Sequence, residues 1–261
     1  MNQPDTRPAI EFRNVSYRLD GKEGRELLRN LDLEVQRGET LVLLGRSGSG
    51  KTTTLKLINH LLKPSQGELL VDARPTCDWD VIRLRRMIGY VIQEVGLFPH
   101  FTVERNIGLV PKIENWPATR IAERVRELLA LVGLDPEISS RYPRELSGGQ
   151  RQRVGVARAL AADPPILLMD EPFGALDPMT RAELQREFLA LQKRLRKTVV
   201  FVTHDLREAL LLGTRIALME AGRLVIIQTP EEFLTCAEPL AAAYKNAFGS
   251  LMEDGRPRPS H

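Results

Sequence analysis

The sequence of 261 residues has little cysteine, no long apolar run and almost no net charge. Its two cysteines, Cys77 and Cys236, have no C-x-x-C pairing and no histidine cluster beside them, which argues against a disulfide framework and a zinc site. No window approaches the run of about 18 apolar residues that a membrane helix needs, and the first residues contain no apolar segment of a signal peptide. We therefore expect a cytosolic chain with reduced thiols.

The charged residues are nearly balanced. There are 37 Lys and Arg against 34 Asp and Glu, which gives a net charge of +3 and does not point to nucleic acid as a partner. Hydrophobic residues make up 43% and charged residues 27%, as in ordinary globular proteins, so a mostly disordered or collagenous chain is excluded. We expect a packed core and no nucleic-acid partner.

Short apolar runs bounded by turn residues predict buried strands at Leu41–Leu44, Ile166–Met169 and Val199–Val202. Helical patterns follow the first two runs, at Lys51–Leu62 and Pro178–Lys197. This alternation of strand, turn and helix predicts an α/β protein with a parallel sheet.

The flanking segments show other periods. Apolar and polar residues alternate at Ile10–Leu19, Leu31–Val35 and Glu68–Val71, which predicts a small antiparallel layer, and Ile216–Met219 with Leu224–Ile227 predicts a late hairpin. We expect short helices from Thr229-Pro230 onward and disorder over Asp254–His261. The period becomes helical after Thr102, so we divide the chain into 1–101 (β-layer and first part of the core), 102–162 (all-helical insertion), 163–228 (second part of the core) and 229–261 (C-terminal helical segment and tail).

A glycine-rich loop lies between the first buried strand and its helix. Gly45–Thr52 reads GRSGSGKT, whose glycines let backbone N–H groups surround phosphate oxygens at a helix N-terminus. Lys51 would reach the outer phosphates and the Thr52 hydroxyl could ligate Mg²⁺. A purely structural glycine-rich turn is the alternative. The predicted phosphate-binding residues are Gly45, Arg46, Ser47, Gly48, Ser49, Gly50, Lys51, Thr52 and Thr53.

Two carboxylates end the second buried strand, where α/β sheets place their ligands. Asp170 would hold Mg²⁺, directly or through water, and Glu171 would polarise the water that attacks the γ-phosphate. Without the glycine-rich loop, such a pair would more simply cap a helix. Together the two motifs predict a P-loop nucleotide-triphosphate hydrolase or kinase.

The run Leu146–Gln150, LSGGQ, begins a further helix, so it presents amides and a hydroxyl at a helix N-terminus. The alternative is a capping box in which Ser147 and Gln150 satisfy only their own helix. A second phosphate-binding terminus is redundant within one subunit, unless it serves the nucleotide of another subunit. The predicted binding residues here are Ser147, Gly148, Gly149 and Gln150.

With these three segments, the sequence resembles the ATP-binding cassette family, the ATPase subunits of ABC transporters, from about Ile10 to Gln228. The resemblance implies a RecA-like P-loop NTPase core that uses ATP and Mg²⁺, with an N-terminal antiparallel β-subdomain and an all-helical insertion. It identifies Gly45–Thr52 as the Walker A motif, Ile166–Glu171 as Walker B and Leu146–Gln150 as the family signature.

The resemblance also assigns roles to four residues that are unremarkable alone. Tyr17 would stack on adenine, Gln93 would contact the metal and couple it to the insertion, Asp177 would belong to the D-loop at Ala175–Asp177, and His204 would contact the γ-phosphate. Taken singly, they could be a strand aromatic, a loop amide, a helix N-cap and a capping histidine. The family further implies a head-to-tail dimer, most simply a homodimer, in which ATP lies between the Walker A of one chain and the signature of the other.

The resemblance also implies partners and a location. Gln93–Phe101 is apolar for a surface loop and would dock a transmembrane permease subunit, although Leu97 and Phe98 could instead fold onto their own core. The chain would then sit peripherally at the cytoplasmic face of the inner membrane and work with an extracytoplasmic solute-binding protein.

A finer resemblance concerns the imported solute. Ile88–Pro111, Trp116 and Glu171–Pro178 are similar to ATPases of osmoprotectant importers, for solutes such as glycine betaine, choline or proline betaine. Many of those carry paired cystathionine-β-synthase-type domains, which we do not expect in the short segment after Gln228. Amino-acid or polyamine importers are the nearest alternatives. A soluble ABC ATPase acting on ribosomes or DNA, and a small-molecule kinase, fit the motifs less well.

Overall fold

The main sheet of the protein, in a computed structural model that describes residues 7–19, 24–93 and 95–253, has six strands. Five neighbouring strands are parallel to one another, and the sixth, at one edge of the sheet, is antiparallel to its neighbour. The α/β prediction is confirmed. In spatial order the strands are β10 (Arg223–Gln228), β9 (Arg215–Glu220), β3 (Thr40–Leu44), β8 (Thr198–Thr203), β7 (Ile166–Asp170) and β6 (Ile88–Val91).

An antiparallel sheet of four strands lies against one face of the main sheet. Along β3, Leu41 and Leu43 pack into the hydrophobic cluster shared with this second sheet, whereas Val42 and Leu44 pack into the cluster formed with the helices. Successive strand residues point to opposite faces, so a strand that is apolar at every position needs cover on both sides. The second sheet consists of β2 (Glu26–Val35), β1 (Ile10–Arg18), β4 (Gln66–Val71) and β5 (Arg74–Pro75).

Most of the helices pack on the other face of the main sheet, whereas the two helices that contain Leu55 and Leu84 pack into the cluster shared with the second sheet. Residues 102–162 contain helices and turns but no strand. The helices are α1 (Lys51–Ile58), α2 (Val81–Arg86), α3 (Val103–Ile107), α4 (Leu109–Ile113), α5 (Ala118–Leu131), α6 (Gly148–Ala159), α7 (Pro178–Leu195), α8 (Leu206–Leu212), α9 (Pro230–Thr235) and α10 (Pro239–Glu253), with 3₁₀ turns at Thr76–Asp78, Pro136–Ser140 and Pro143–Glu145.

Two predicted helices are shorter than expected. α1 ends at Ile58, because His60 adopts a left-handed conformation (φ 54°) and Arg85 binds the carbonyl groups of Asn59 and His60. α7 ends at Leu195, because Arg196 also adopts a left-handed conformation (φ 49°). After α1 the apolar period continues to Leu62, past the residue where the backbone leaves the helix, whereas α7 ends two residues before its predicted end.

The predicted late hairpin is present. Its turn, Ala221-Gly222, has positive φ at both positions (47° and 80°), as a tight turn between twisted strands requires. The predicted C-terminal helices are also present, as α9 and α10. The predicted disorder at Asp254–His261 lies outside the described residues, and the boundaries of the four chain segments stay predictions. None of the helices in the described ranges combines the length and the hydropathy needed to cross a bilayer.

Candidate nucleotide-binding and catalytic site

A cleft of about 710 Å³ lies over the loop that joins β3 to α1. We call this loop and the first turn of α1, residues 45–53, the phosphate loop. Gly50 is the N-cap of α1 with φ 102°, a conformation that favours glycine, and no side chain caps this helix. At Gly45, an added Cβ would lie 2.4 Å from the carbonyl oxygen of Met219, so only glycine fits there. The loop thus approaches the hairpin closely and directs an uncapped helix N-terminus toward the cleft.

Lys51 is the buried cation of the cleft. Its Nζ donates hydrogen bonds to the carbonyl oxygens of Gly45 (2.7 Å) and Arg46 (2.9 Å), which hold the side chain back over its own loop. Burial lowers the pKa of Lys51, and the carboxylates of Glu171 and Asp170 oppose that shift. Lys51 therefore supplies a positive charge within reach of both carboxylates.

Asp170, the last residue of β7, joins the two phosphate-site motifs. The Thr52 hydroxyl donates to its Oδ1 (3.0 Å), and the Tyr90 hydroxyl donates to its Oδ2 (3.4 Å). Burial raises the pKa of Asp170, whereas the bonds from Thr52 and Tyr90 lower it. A hydroxyl and a carboxylate side by side are oxygen ligands of the kind that Mg²⁺ takes, together with phosphate oxygens and water. The described residues contain no cluster of three His, Cys, Asp or Glu side chains that could hold a metal alone.

Three loops converge on the Glu171 carboxylate. Its Oε2 lies 3.4 Å from Nε2 of Gln93 and 3.3 Å from Nδ1 of His204, and all three residues line the cleft. Glu171 itself has φ 44°, an unusual conformation for a side-chain-bearing residue, and its N–H is bonded to the carbonyl of Val202 on the neighbouring strand. The pairing of β7 with β8 thus brings the end of one strand to the turn after the other.

The residues at 147–150 make a different set of contacts. The Ser147 hydroxyl accepts from the Gln150 N–H (3.2 Å), and the Gln150 side-chain carbonyl accepts from the Ser147 N–H (2.9 Å). This is the reciprocal capping box that the sequence allowed. Ser147 and Gly148 are exposed, and no residue of Leu146–Gln150, which we call the signature segment, lines the cleft.

Asp177 also makes capping contacts. Its carboxylate accepts hydrogen bonds from the N–H groups of Met179 (3.1 Å) and Thr180 (3.0 Å) at the start of α7. The hydrogen bonds with Thr180 lower the pKa of Asp177. The binding roles of Asp177 and the signature segment stay predictions, because within one chain both are satisfied by their own helices.

Tyr17 is not brought to the cleft. It lies on β1, opposite Leu28 on β2, and packs against the cluster between the two sheets. The tyrosine that lines the cleft is Tyr244 of α10, which was not predicted because nothing in the sequence distinguishes it from a residue of an ordinary amphipathic helix. The geometry gives no support to adenine stacking by Tyr17, which stays a prediction.

The apolar loop before α3 divides between two environments. Leu97 packs against the core, whereas the side chain of Phe98 is 40% exposed. The fully buried Asn106 fixes this loop, since its side chain bonds the backbone of Phe98 and the carbonyls of Phe101 and Thr102. The interpretation that the loop folds onto its own core therefore applies to Leu97, and the exposed apolar surface of the other interpretation is present at Phe98.

Comparison with known proteins identifies the family. Residues 28–174 match the sequence profile of the ABC transporter family. The choline transport ATP-binding protein OpuBA of Bacillus subtilis is 53% identical over 86% of this chain and 58% of its own length. The osmoprotectant import ATP-binding protein OsmV of Salmonella typhimurium is 51% identical over 86% and 60%, and the glycine betaine uptake system ATP-binding protein YehX of Escherichia coli is 50% identical over 87% and 72%.

A solved structure described as the dimeric structure of MJ0796, a bacterial ABC transporter cassette, superposes with a TM-score of 0.77 at 36% identity, covering 85% of this chain and 98% of that one. A second structure of that cassette is a dimeric post-hydrolysis state bound to ADP and Pi. The chain belongs to the ABC transporter family, and the predicted family and P-loop NTPase fold are confirmed. The chain spans about 60% of the length of the first curated relatives it matches.

Proposed function

We propose that the chain is an ATP-hydrolysing subunit that dimerises on ATP and powers import of a small solute, a quaternary-amine osmoprotectant, through separate membrane subunits. The observation that carries this proposal is the convergence of Gln93, Glu171 and His204 at one end of a cleft whose floor is the phosphate loop. An anion-binding helix terminus and a positioned carboxylate are the two parts that hydrolysis of a nucleoside triphosphate needs.

In this proposal the phosphate loop binds the triphosphate of ATP, and Lys51 exchanges its carbonyl partners for phosphate oxygens. Thr52 and Asp170 would hold Mg²⁺ with the help of Gln93; the Thr52 hydroxyl and the Asp170 carboxylate, whose oxygens lie 3.0 Å apart, fit that ion. When bound, Mg²⁺ neutralises charge on the phosphates. The other contributions to the reaction come from residues of the chain.

Glu171 orients a water for attack on the γ-phosphorus and accepts its proton, while the bond from that phosphorus to the bridging oxygen breaks. Gln93 and His204 both contact Oε2 of Glu171, which restricts the direction of the carboxylate before the reaction begins. His204, whose side chain is 61% exposed, is also placed to contact the γ-phosphate from the cleft wall.

The second half of the site would come from another copy of the chain. The exposed signature segment presents a helix N-terminus outside its own cleft, so it can reach a nucleotide only in a neighbouring subunit. The γ-phosphate would then bridge two chains, and its loss after hydrolysis would let them separate. The dimeric state described for the related cassette supports this arrangement.

Membrane partners and solute are proposed from the relatives. Proteins named for choline, glycine betaine and carnitine transport are 49–54% identical to this chain, whereas a sulfate/thiosulfate import protein of Pseudomonas syringae is 44% identical. The surface at Gln93–Phe101, with Phe98 exposed, would dock the permease at the cytoplasmic face of the membrane, and an extracytoplasmic binding protein would deliver the solute.

The test is transport by the chain together with the membrane subunits that copurify with it. In proteoliposomes supplied with the matching binding protein, we expect ATP-dependent uptake of labelled glycine betaine or choline, and none with the Glu171→Gln chain. Uptake of an amino acid or polyamine instead would overturn the solute assignment. Absence of ATP hydrolysis by the assembled complex would overturn the proposed function itself.

A further inference from the structure

A buried carboxylate behind the cleft joins two elements of the site. Glu208, on α8, is only 4% exposed, and both of its oxygens have partners. The Thr203 hydroxyl donates to Oε2 (2.5 Å), and Nε2 of Gln185, on α7, donates to Oε1 (3.0 Å). A buried carboxylate is unfavourable unless it is hydrogen-bonded, and these two contacts meet that requirement. An apolar residue would fill the same space without needing such partners, so we looked for what the two hydrogen bonds hold in place.

On one side, the network fixes the turn that carries His204. The Thr203 hydroxyl also accepts the N–H of Asp205 (3.0 Å), and the Asp205 carboxylate accepts the N–H of Arg207 (2.7 Å) at the start of α8. Both chain neighbours of His204 are therefore held, while its own side chain is 61% exposed. The direction of the imidazole ring depends on this backbone.

On the other side, the network reaches the loop that follows Glu171. Arg181, one turn before Gln185 on α7, donates Nη2 to the carbonyls of Gly174 (3.3 Å) and Leu176 (3.2 Å). α7 thus holds this loop through Arg181 and the His204 turn through Gln185. Burial raises the pKa of Glu208, and its hydrogen bonds with Thr203 and Gln185 oppose that shift.

We propose that Glu208 is a positioning residue that, through Thr203 and Gln185, keeps the His204 ring in register with the Glu171 carboxylate. The catalytic consequence rests on the proposed function, because it requires that His204 acts in ATP hydrolysis. The structural consequence, a fixed His204 ring in the nucleotide-free chain, does not.

The structural consequence is tested by NMR of the histidine rings. The chain contains four histidines, and a His204→Asn chain assigns the signal of interest. Thr203→Val removes the shared hydroxyl at nearly constant volume.

Thr198→Val is the matched control, since Thr198 begins the same strand and its hydroxyl accepts the N–H of Gly38 (3.0 Å) away from the cleft. We expect Thr203→Val to shift or broaden the His204 signal and Thr198→Val to leave it unchanged; an unchanged His204 signal in both would overturn the proposal.

The catalytic consequence is tested by steady-state ATP hydrolysis. We expect Thr203→Val and Glu208→Ala to lower kcat about tenfold with little change in KM, because positioning acts after binding. Glu208→Gln keeps the shape, and a flipped Gln185 amide can partner it, so we expect it to retain most of the activity. An equal loss in Glu208→Gln and Glu208→Ala, or normal kcat in Thr203→Val, would overturn the positioning role.

The two measurements separate this inference from the proposed function. A wild-type chain that hydrolyses no ATP would contradict the proposed function, while the His204 signal would still decide whether the network holds the ring. If Glu208→Ala does not fold, the nearly isosteric Thr203→Val decides the question, because its melting temperature can be compared with that of Thr198→Val.

Discussion

The N-termini of α1 and α6 differ in how their backbone amides are satisfied. The N-cap of α1 is Gly50, which provides no side-chain cap, and this terminus faces the cleft beside Lys51. The N-cap of α6 is Ser147, which forms both bonds of a capping box with Gln150 on an exposed surface away from the cleft. In the proposed function, the first terminus binds a phosphate group of ATP. The second is stable alone and becomes a ligand site only if a partner brings a phosphate to it.

This difference shows where one chain is complete and where it is not. The phosphate loop and the three residues proposed for catalysis, Gln93, Glu171 and His204, already meet around one cleft. Ser147, on the exposed surface, makes its side-chain contact with its own helix. We therefore expect substitutions in the phosphate loop to alter nucleotide binding by a single chain. Substitutions in the signature segment should instead alter the association of two chains.

The largest effect is expected at Glu171. Glu171→Gln keeps the size of the side chain but removes the proton acceptor, so turnover should fall by about 10³-fold while nucleotide binding is retained. Phosphate release and fluorescent-nucleotide binding measure the two quantities. Glu183→Gln, at an exposed position on α7, is the control and should hydrolyse normally. Near-normal turnover by Glu171→Gln would contradict the assignment of Glu171 as the general base.

The second-largest effect is expected at Ser147, at the N-terminus of α6. Ser147→Arg places a long side chain at the proposed interface and should lower turnover by about 100-fold, equivalent to about 2.7 kcal/mol, with nucleotide binding to the monomer preserved. It also removes a helix cap, worth about 1 kcal/mol of stability. Thr229→Arg removes the equivalent capping box of α9 and controls for that loss. Equal turnover in both variants would mean that the signature segment only caps its helix.

The third effect concerns binding within one chain. Lys51→Ala removes the buried cation of the phosphate loop, and we expect ATP affinity to fall about 10-fold to 100-fold, the loss of one or two charge-assisted bonds. Lys193→Ala, at an exposed position in the last turn of α7, should bind ATP as the wild type does. Isothermal titration with a non-hydrolysable analogue measures both. Unchanged affinity in Lys51→Ala would contradict the assignment of the phosphate loop.

The smallest effect is a pH dependence at Asp177. Its folded-state pKa lies below the ordinary 3.8, so its stabilisation is present above the unfolded-state value and is lost as pH falls through the lowered value. Asp177→Ala should therefore unfold at lower urea concentration than the wild type at pH 7, with a difference that shrinks below pH of about 4. Asp177→Asn keeps a capping oxygen without the charge, so the difference in stability between Asp177→Asn and Asp177→Ala should not change with pH. A difference in stability between the wild type and Asp177→Ala that does not change with pH would contradict a stabilising role for the Asp177 charge.

The buried strands and the motifs could be predicted from the sequence because each leaves a local pattern. β3, β7 and β8 are apolar at nearly every position, and each of these three strands extends the predicted one by a single residue at one or both ends. β6 was not predicted, since Gly89 and Tyr90 interrupt its apolar run. Gly89 is required there because an added Cβ would lie 2.3 Å from the carbonyl oxygen of Ala159.

The contacts of the site depend on the order of strands in space, which no local pattern contains. Glu171 meets His204 because β7 and β8 are neighbours, and the Tyr90 hydroxyl reaches Asp170 because β6 pairs with β7. Tyr244 enters the cleft through the packing of α10, more than 190 positions after Lys51. The chemistry of single residues was therefore predictable, and their partners across the sheet were not.

The molar mass of the Glu171→Gln chain in solution, measured by light scattering with and without ATP, tests the two-chain site most directly. We predict a monomer without nucleotide, a dimer with ATP, and a monomer again when Ser147→Arg is added to the same chain. A Glu171→Gln chain that binds one ATP per molecule and stays monomeric at every protein concentration would contradict the account.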